Sequence, residues 1–319
     1  MLDPVVLDRV TKRFASRTAV DALSLSVPPG TIYGLLGPNG AGKTTAIRMI
    51  MDIYEPDQGT VRLFGDVSGG REHSARIGYL PEERGLYPKM RVLDVLVFLA
   101  EIKGVPRKTA RTKAIEWLDR LGLGLRRLSK VSDLSKGMQQ KVQFISAVLH
   151  DPELVILDEP FSGLDPVNRQ VLLETVIDYR QRGKTVLFST HIMEHAEQLC
   201  DRLCIIAQGK KLVDGTLTEI KQRHAGNHVS IAFDGNHGGS RQIFADQRLV
   251  SRVQDSGQEV ELELVDGADP QEVLRALVQS GARLARFELG SPSLHKIFID
   301  LVGPEAAAAD PVPPAGQKE

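Results

Sequence analysis

The segment Gly37 to Thr44 constrains this chain more than any other stretch of its sequence. It reads Gly-Pro-Asn-Gly-Ala-Gly-Lys-Thr, and it lies between a strand-like run, Thr31 to Leu36, and a helical pattern that begins at Lys43. This is the spacing of a Walker A loop, in which glycines let successive backbone N–H groups turn inward around phosphates. The positive end of the following helix strengthens that field. A glycine-rich turn is the alternative, but the structural context favours a phosphate-binding loop in an α/β domain.

Three side chains of this loop have specific expected roles. Lys43 should pair with the β- and γ-phosphate oxygens, Thr44 should hold Mg²⁺ through its hydroxyl, and Thr45 should reach the α-phosphate. The predicted nucleotide-binding residues of the loop are Gly37, Pro38, Asn39, Gly40, Ala41, Gly42, Lys43, Thr44 and Thr45. The loop therefore predicts a bound nucleoside triphosphate with its magnesium ion.

A second chemical signal is an apolar strand that ends in two carboxylates. Leu154 to Leu157 is followed by Asp158 and Glu159, as in a Walker B strand. We expect Asp158 to hold Mg²⁺ through water, because Mg²⁺ keeps much of its hydration shell when it binds phosphates. Glu159 would then face the attacking water as general base or orienting group. Acids at a strand end are weak evidence alone, but downstream of the glycine loop they indicate phosphoryl-transfer chemistry.

The order of predicted elements over residues 1–222 is that of an α/β fold with a parallel sheet, and with the glycine loop it resembles a P-loop NTPase with a RecA-like sheet. Buried apolar runs followed by helices build such a sheet, and alternating runs predict antiparallel strands beside it. The predicted elements are the antiparallel strands Val5 to Val10 and Ala22 to Val27, a helix from Lys43 that ends at Pro56, an inserted helical subdomain over residues 86–150, and the parallel strands Leu154 to Leu157 and Thr185 to Ser189.

Beyond residue 222 the pattern changes to alternation, which predicts a small α+β domain over residues 223–302. Three half-buried strands are centred on Ile231, Leu262 and Phe287, and a helix is expected over Asp269 to Ser280. Ser291-Pro292 has the form of a cap and first turn for a final helix. Residues 303–319 are rich in Pro and Ala without periodicity, so we expect a disordered tail.

Composition argues against several functional classes. Hydrophobic residues make up 42% and charged residues 25% of the 319 positions, and the net charge is −1. The chain lacks the basic surplus that phosphate-backbone binding draws on, so we expect no nucleic acid partner. Its apolar runs fall short of the roughly 20 residues that cross a bilayer, and its N-terminus does not read as a signal peptide. Cys200 and Cys204 are expected to be small buried residues rather than a disulfide or metal site.

Leu134-Ser135-Lys136-Gly137-Met138-Gln139-Gln140 resembles the signature sequence of the ABC ATPase family. Ser135 and Gly137 open a helix whose apolar periodicity indicates a buried face, so a hydroxyl and free N–H groups would form an anion site. The resemblance implies that the nucleotide is ATP and that this site closes on the γ-phosphate held by a second ATPase subunit. A capped core helix explains the pattern but not its position just before the acidic strand.

Further landmarks match the family in order. Ser162 to Asp165 resembles the D-loop that communicates across the dimer. His191 resembles the switch histidine that senses the γ-phosphate and positions the water, so the resemblance implies a catalytic set of Lys43, Glu159 and His191. Phe14 occupies the place of the aromatic residue that stacks on adenine. A structural histidine and a core phenylalanine are the common alternatives for these two residues taken alone.

Two positions depart from the family pattern. The Q-loop glutamine is replaced by Glu82, within Gly78-Tyr79-Leu80-Pro81-Glu82-Glu83. This carboxylate could still bind Mg²⁺, but the added negative charge bears on metal affinity and on the coupling of the helical subdomain. Lys136 stands where the signature usually has glycine, and a cation beside a phosphate site is electrostatically compatible with ATP binding.

The end of the chain, Ser291 to Leu301, and the long run Gly78 to Pro88 resemble ATPases of ABC-2-type exporters. That subgroup implies two ATPase copies per complex, at the cytoplasmic face of the membrane beneath a separate permease. The alternative is a soluble ABC protein that acts on ribosomes or DNA. Such proteins usually carry two cassettes or a long coiled coil, whereas this chain has one Walker A loop and no sustained heptads. A P-loop kinase or GTPase would not need the signature helix.

Overall fold

The computed structural model describes residues 2–15, 17–67, 70–83, 85–224, 228–234, 240–256, 259–265, 267–290 and 293–303. The strands are β1 Val5–Phe14, β2 Arg17–Val27, β3 Ile32–Leu36, β4 Gln58–Leu63, β5 Ile77–Leu80, β6 Leu154–Asp158, β7 Thr185–Thr190, β8 Arg202–Ala207, β9 Lys210–Thr216, β10 His228–Phe233, β11 Val250–Asp255, β12 Glu259–Leu264 and β13 Leu284–Gly290. The α-helices are α1 Lys43–Ile50, α2 Val92–Ile102, α3 Arg107–Arg120, α4 Lys136–Val148, α5 Pro166–Gln181, α6 Met193–Leu199, α7 Leu217–Arg223, α8 Arg241–Phe244, α9 Pro270–Gln279 and α10 Leu294–Val302.

The chain forms two compact units. Unit 1 runs to Leu217 and also includes Val302 and Gly303, and unit 2 spans Thr218–Leu301. The boundary expected from the sequence, after residue 222, falls inside α7, whereas the structure divides the chain where that helix begins.

The main sheet of unit 1 has the strand order β5-β6-β7-β3-β8-β9. Its neighbours are parallel except for the antiparallel pair β8 and β9. Every residue of β3, β6 and β7 is buried, as expected for strands that helices cover on both faces. The register pairs Leu36 with Thr190 and Asp158 with Ser189. Because these strands are parallel, the loops that follow them leave the sheet at the same end.

A second, antiparallel sheet has the order β2-β1-β4. The two strands expected near the N-terminus are present and longer than predicted, but β4 was not anticipated. The prediction that the first helix ends at Pro56 is wrong, because α1 ends at Ile50 and Asp52 takes a left-handed conformation with φ of 57°. Asp tolerates that conformation better than most residues, so the chain turns there and enters β4 at Gln58.

The expected helical subdomain contains α2, α3 and α4, with two 3₁₀ turns, Gly124–Arg126 and Val131–Asp133, between the last two helices. Its attachment to the sheet depends on Gly78 in β5. A Cβ on Gly78 would lie 2.0 Å from the carbonyl oxygen of Ala147, so only glycine allows α4 to approach the strand this closely.

Unit 2 is a four-stranded antiparallel sheet of order β11-β12-β10-β13. The chain order β10-α8-β11-β12-α9-β13 makes it a split βαβ arrangement. Alternating Val260, Leu262 and Leu264 of β12 pack with Val273 and Leu277 of α9 in one apolar core. The three predicted strands and the predicted helix match β10, β12, β13 and α9, whereas β11 and α8 were not predicted. Ser291-Pro292 and residues 304–319 of the expected tail lie outside the described residues.

Two further properties bear on function. Within the part of the chain that the structure describes, no helix is both long enough and apolar enough to span a bilayer. Cys200 and Cys204 are both buried and free, and Cys204 lies in β8, as expected from its strand-like surroundings.

Candidate functional site

The glycine-rich loop connects β3 to α1, as the sequence predicts. Gly42 precedes the helix with φ of 107°, and a Cβ there would lie 2.3 Å from the carbonyl oxygen of Ala19. A side chain at this position would therefore meet both backbone strain and a steric clash. The loop lies against the start of β2.

Lys43 is 5% exposed and begins α1. Its ammonium donates to the carbonyl oxygens of Gly37 at 2.8 Å and Pro38 at 3.2 Å, and it lies 3.5 Å from a carboxylate oxygen of Glu159. Burial lowers the pKa of Lys43, and the neighbouring Glu159 opposes that shift. The side chain is thus held across the mouth of the loop between backbone carbonyls and a buried acid.

Asp158 is fully buried at the end of β6. One of its carboxylate oxygens accepts hydrogen bonds from Ser189 at 2.5 Å and from Thr44 at 3.2 Å. The other oxygen, Oδ2, is buried without a hydrogen-bond partner in the described structure. Burial raises the pKa of Asp158, and the hydrogen bonds from Ser189 and Thr44 oppose the shift. A buried carboxylate oxygen without a partner is costly, which suggests that a cationic or donor group completes this site.

Glu159 directly follows Asp158 and is hydrogen-bonded to the neighbouring strand β7. Its backbone N–H donates to the Ser189 hydroxyl at 3.0 Å, and its carboxylate lies 3.1 Å from Nδ1 of His191. The hydrogen bond with Glu159 raises the pKa of His191 above its ordinary value. Glu159 also has φ of 48°, a left-handed conformation that is uncommon for a residue other than glycine. Strain of this kind concentrates at functional sites.

Lys43 and Glu159 line a cavity of about 300 Å³, whereas Asp158 and His191 contact its lining residues from outside it. It is lined by Arg17, Asn39, Gly40, Ala41, Gly42, Lys43, Thr44, Thr45, Glu82 and Glu159. The predicted loop residues from Asn39 onward and two of the predicted acids therefore share one space. Burial raises the pKa of Glu82, and the negative charges of Asp158 and Glu159 act in the same direction.

Two residues near this cavity were missed by the sequence analysis. Arg17 lines the cavity and donates a hydrogen bond to the carbonyl oxygen of Gly40. Gln143 of α4 is 3% exposed, and its side-chain amide donates to the carbonyl oxygens of Pro81 at 3.3 Å and Glu83 at 3.1 Å. One side chain of the signature helix therefore holds the backbone on both sides of Glu82. Each reads as an ordinary polar residue in the sequence.

The structure does not bring every predicted site residue to the cavity lining. Phe14 is 41% exposed on β1 and meets Tyr54 edge to face, with ring centroids 5.3 Å apart. Ser135 is the N-cap of α4, and its hydroxyl accepts from the N–H of Met138 at 3.3 Å. Gly137 lies in the first turn of that helix, near Asn168 and Leu164.

The arrangement has the chemistry of phosphoryl transfer. A buried lysine and a glycine loop offer positive potential to phosphates, and a strained glutamate bonded to a histidine can orient or deprotonate water. The oxygen donors that could hold Mg²⁺ are Thr44, Asp158 and Glu82, and hard oxygen ligands suit this ion. The partnerless oxygen of Asp158 fits such an occupant.

Comparisons with known proteins agree across both units. The family model described as ABC transporter matches residues 20–162, and the model described as ATP-binding protein DrrA1-3-like, C-terminal domain, matches residues 215–302. The uncharacterized ABC transporter ATP-binding protein YhaQ of Bacillus subtilis (strain 168) is 45% identical over 94% of this chain and 98% of its own length.

Two relatives with functional names also match over most of their length. The Nod factor export ATP-binding protein I of Paraburkholderia xenovorans (strain LB400) is 35% identical, over 94% of this chain and 97% of its own. The linearmycin resistance ATP-binding protein LnrL of Bacillus subtilis (strain 168) is 33% identical, over 93% and 97%. A solved structure of an ATP-binding subunit of an ABC transporter superposes with a TM-score of 0.64 at 31% identity, covering 69% of this chain and 92% of that one.

Proposed function

The chain belongs to the ABC transporter ATP-binding proteins, and from this premise we propose that it powers an exporter whose membrane-spanning permease is a separate polypeptide. Membership makes it an ATP-binding, ATP-hydrolysing transport subunit. Export is supported by the names of the relatives for Nod factor export and linearmycin resistance, which resemble this chain in both units. In this proposal the chain lies at the cytoplasmic face of the membrane and is held there by the permease.

The observation that carries the catalytic proposal is the contact series beside the glycine loop, in which buried Lys43 meets buried Glu159 and Glu159 meets the more exposed His191. The ammonium of Lys43 is held beside the loop by two backbone carbonyls and by Glu159. In this proposal it pairs with phosphate oxygens when nucleotide binds. Glu159 accepts or orients the proton of the attacking water, and the hydrogen bond to His191 fixes the carboxylate.

We propose that Thr44, Asp158 and Glu82 hold Mg²⁺ together with the nucleotide. When bound, the ion would neutralise the developing charge on the β- and γ-phosphate oxygens. Ser189 has a supporting role, because its hydroxyl orients Asp158 and at the same time accepts from the backbone N–H of Glu159. That single hydroxyl keeps the metal-binding acid and the water-orienting acid in fixed register.

We further propose that two copies sandwich two ATP molecules. Each site would pair Gly37 to Thr45 of one chain with Ser135 and Gly137 of the other, while Phe14 would stack on adenine from the same chain as the loop. The support is that Ser135 and Gly137 do not line the cavity of their own chain, although the N-terminus of a 13-residue helix is a natural anion site. Mixing a Lys43→Ala chain with a Ser135→Arg chain should then leave at most one intact site per heterodimer. Full activity in that mixture would reject the shared site.

Purification from membranes tests the transport role. A chain with Glu159→Gln should trap ATP and remain in its complex, so affinity purification from gently solubilised membranes should recover a multi-span membrane protein. Lys43→Ala in the same background is the matched control, since it should weaken ATP binding and reduce the recovery. Recovery with ribosomes or nucleic acid from the soluble fraction alone would instead support the non-transport alternative.

A further inference from the structure

Two loop segments of the helical subdomain, residues 85–91 and 124–130, lie side by side. Backbone N–H groups of Val131 and Ser132 donate to the carbonyl oxygens of Met90 and Pro88, both at 3.0 Å. In the other direction, the first amides of α2 donate to the carbonyl oxygens of Ser129 and Arg127, again at 3.0 Å. The 3₁₀ turn Gly124–Arg126 continues from buried Leu123. These bonds hold the two segments as one rigid surface.

Apolar side chains project from this surface into solvent. Leu125 is 99% exposed and Leu128 is 63% exposed, whereas Leu121 and Leu123 just before them are buried. Single exposed leucines are common on protein surfaces. Leu125 and Leu128 differ from such single leucines because they lie within four residues of each other. The backbone hydrogen bonds of the turn hold both side chains toward solvent. A leucine that is 99% exposed makes almost no contact with its own chain, so it protrudes and does not line a groove.

The same two segments carry several cations. The segments carry Lys89, Arg91, Arg126, Arg127 and Lys130, and neither segment contains an acidic residue. All five are exposed, and none forms an ion pair within the described residues. The nearest acids along the chain are Glu82 and Glu83 before the first segment, Asp94 in α2, Asp119 in α3 and Asp133 in the second 3₁₀ turn. The surface is therefore strongly positive although the chain as a whole has a net charge of −1.

We propose that this basic, leucine-bearing surface contacts the headgroups of an anionic lipid bilayer, with Leu125 and Leu128 entering the boundary between headgroups and acyl chains. Cations near an anionic leaflet gain electrostatic attraction, and leucines gain by leaving water. Nucleic acid would use the cations but not the leucines. A protein partner would need a shaped pocket for each protruding leucine, whereas a bilayer receives them without one.

The proposal goes beyond the assigned ATPase activity and rests on the proposed function only because that function supplies the membrane. Vesicles contain no permease, so the two ideas can fail separately. Vesicle binding can be absent while a permease still co-purifies, and it can be present when no permease is found.

Vesicle co-sedimentation of the full chain tests the surface. We expect binding to vesicles of phosphatidylcholine with about one-third phosphatidylglycerol, little binding to phosphatidylcholine alone, and release at about 0.5 M NaCl. Combined Arg126→Gln, Arg127→Gln and Lys130→Gln should weaken binding at least about tenfold. Combined Leu125→Ser and Leu128→Ser should also weaken it about tenfold while leaving the salt dependence in place.

Matched controls remove the same groups from other exposed positions. Arg62→Gln, Lys108→Gln and Arg111→Gln make the same change in net charge, and Ile53→Ser with Val278→Ser removes two exposed apolar side chains. These controls should bind vesicles like the parent chain. The proposal is overturned if the parent chain does not bind, if the controls and the surface variants lose binding equally, or if binding requires a permease in the membrane. Binding to duplex DNA that is lost with the cations but not with the leucines would overturn it as well. Melting curves check that all variants stay folded.

Discussion

Units 1 and 2 bury polar groups in different ways. Unit 1 buries Lys43, Gln140, Gln143, Asp158, Glu159 and His195, along with several hydroxyl side chains. Unit 2 packs its sheet with aliphatic and aromatic residues, and among its described residues the one buried polar side chain is that of Ser240. Burying a polar group is unfavourable unless it is paired. The charged members of this set, Lys43, Asp158 and Glu159, lie at or beyond the ends of β3 and β6, which is where the chemistry is proposed.

This difference predicts which property a substitution should change in each unit. In unit 1 a small change of charge or hydrogen bonding near the cavity should alter turnover while the fold persists. In unit 2 the same conservative change on the surface should alter little, and only loss of apolar volume should matter. Each experiment below tests one side of this contrast, beginning with the largest expected effect.

Glu159→Gln should lower kcat for ATP hydrolysis by about 10²–10⁴-fold while ATP still binds, because the amide cannot accept the proton of water. Phosphate release and equilibrium nucleotide binding measure the two quantities separately. Glu261→Gln, the same change at an exposed position of β12 in unit 2, is the control and should leave kcat within about twofold. Intact turnover in Glu159→Gln would remove the base assignment from this residue.

Leu262→Ala should destabilise unit 2 by about 2–5 kcal/mol, because it leaves a cavity in the core between β12 and α9. Calorimetry should then show the transition of unit 2 at lower temperature, with the ATP-stabilised transition of unit 1 unmoved. Val253→Ala, on the neighbouring strand and 38% exposed, should shift neither transition appreciably. If the transition temperatures of both units fell together, the units would unfold as one cooperative block. The proposed difference between them would then be wrong.

Gln143→Leu should lower kcat roughly tenfold and destabilise unit 1 by about 1–3 kcal/mol, because the carbonyls of Pro81 and Glu83 lose their donor. Steady-state kinetics and denaturant unfolding separate the two effects. Tyr179→Phe is the control, since the buried hydroxyl of Tyr179 also donates to a backbone carbonyl, that of Val148, away from Glu82. If the two variants lose activity equally, Gln143 supports the helix rather than the position of Glu82.

The smallest effect concerns the pKa of His191. Its pKa is raised by Glu159, so Glu159→Gln should lower it toward the ordinary value of about 6.5. The stability gained from this pair is fully present below that ordinary value and is lost as the pH rises through the raised pKa. Histidine NMR titration measures the shift, and the spectrum of His191→Gln identifies the resonance. An unchanged pKa in Glu159→Gln would separate the histidine from the acid.

Sequence reasoning predicted the elements whose local signals are strong. β3, the glycine loop and the acids after β6 could be recognised because their residue types and order are dictated by phosphate and metal chemistry. The sequence carries no such signal where function depends on contacts between residues that are distant along the chain. Ser189 is separated from Asp158 by 31 positions and Gln143 from Pro81 by 62 positions, so neither has a local pattern.

Weaker local signals explain the remaining differences. Helical spacing continued past Ile50 in the sequence, but the left-handed turn at Asp52 ended α1 early. β11 was missed because all of its residues after Val250 are exposed, which leaves no apolar alternation to detect. The stacking role of Phe14 stays a prediction, since its ring meets Tyr54 edge to face and Arg17 lines the cavity instead.

The two buried cysteines can serve as a probe of the opening of unit 1. Cys200 and Cys204 are its only thiols, both lie in unit 1, and burial raises the pKa of each. A thiol reagent can reach them only when unit 1 opens. The rate of thiol modification of the unaltered protein therefore reports the opening of unit 1. Any ligand that binds folded unit 1 should slow the reaction in proportion to its occupancy. Unfolding or ligand binding that is confined to unit 2 should leave the rate of thiol modification unchanged.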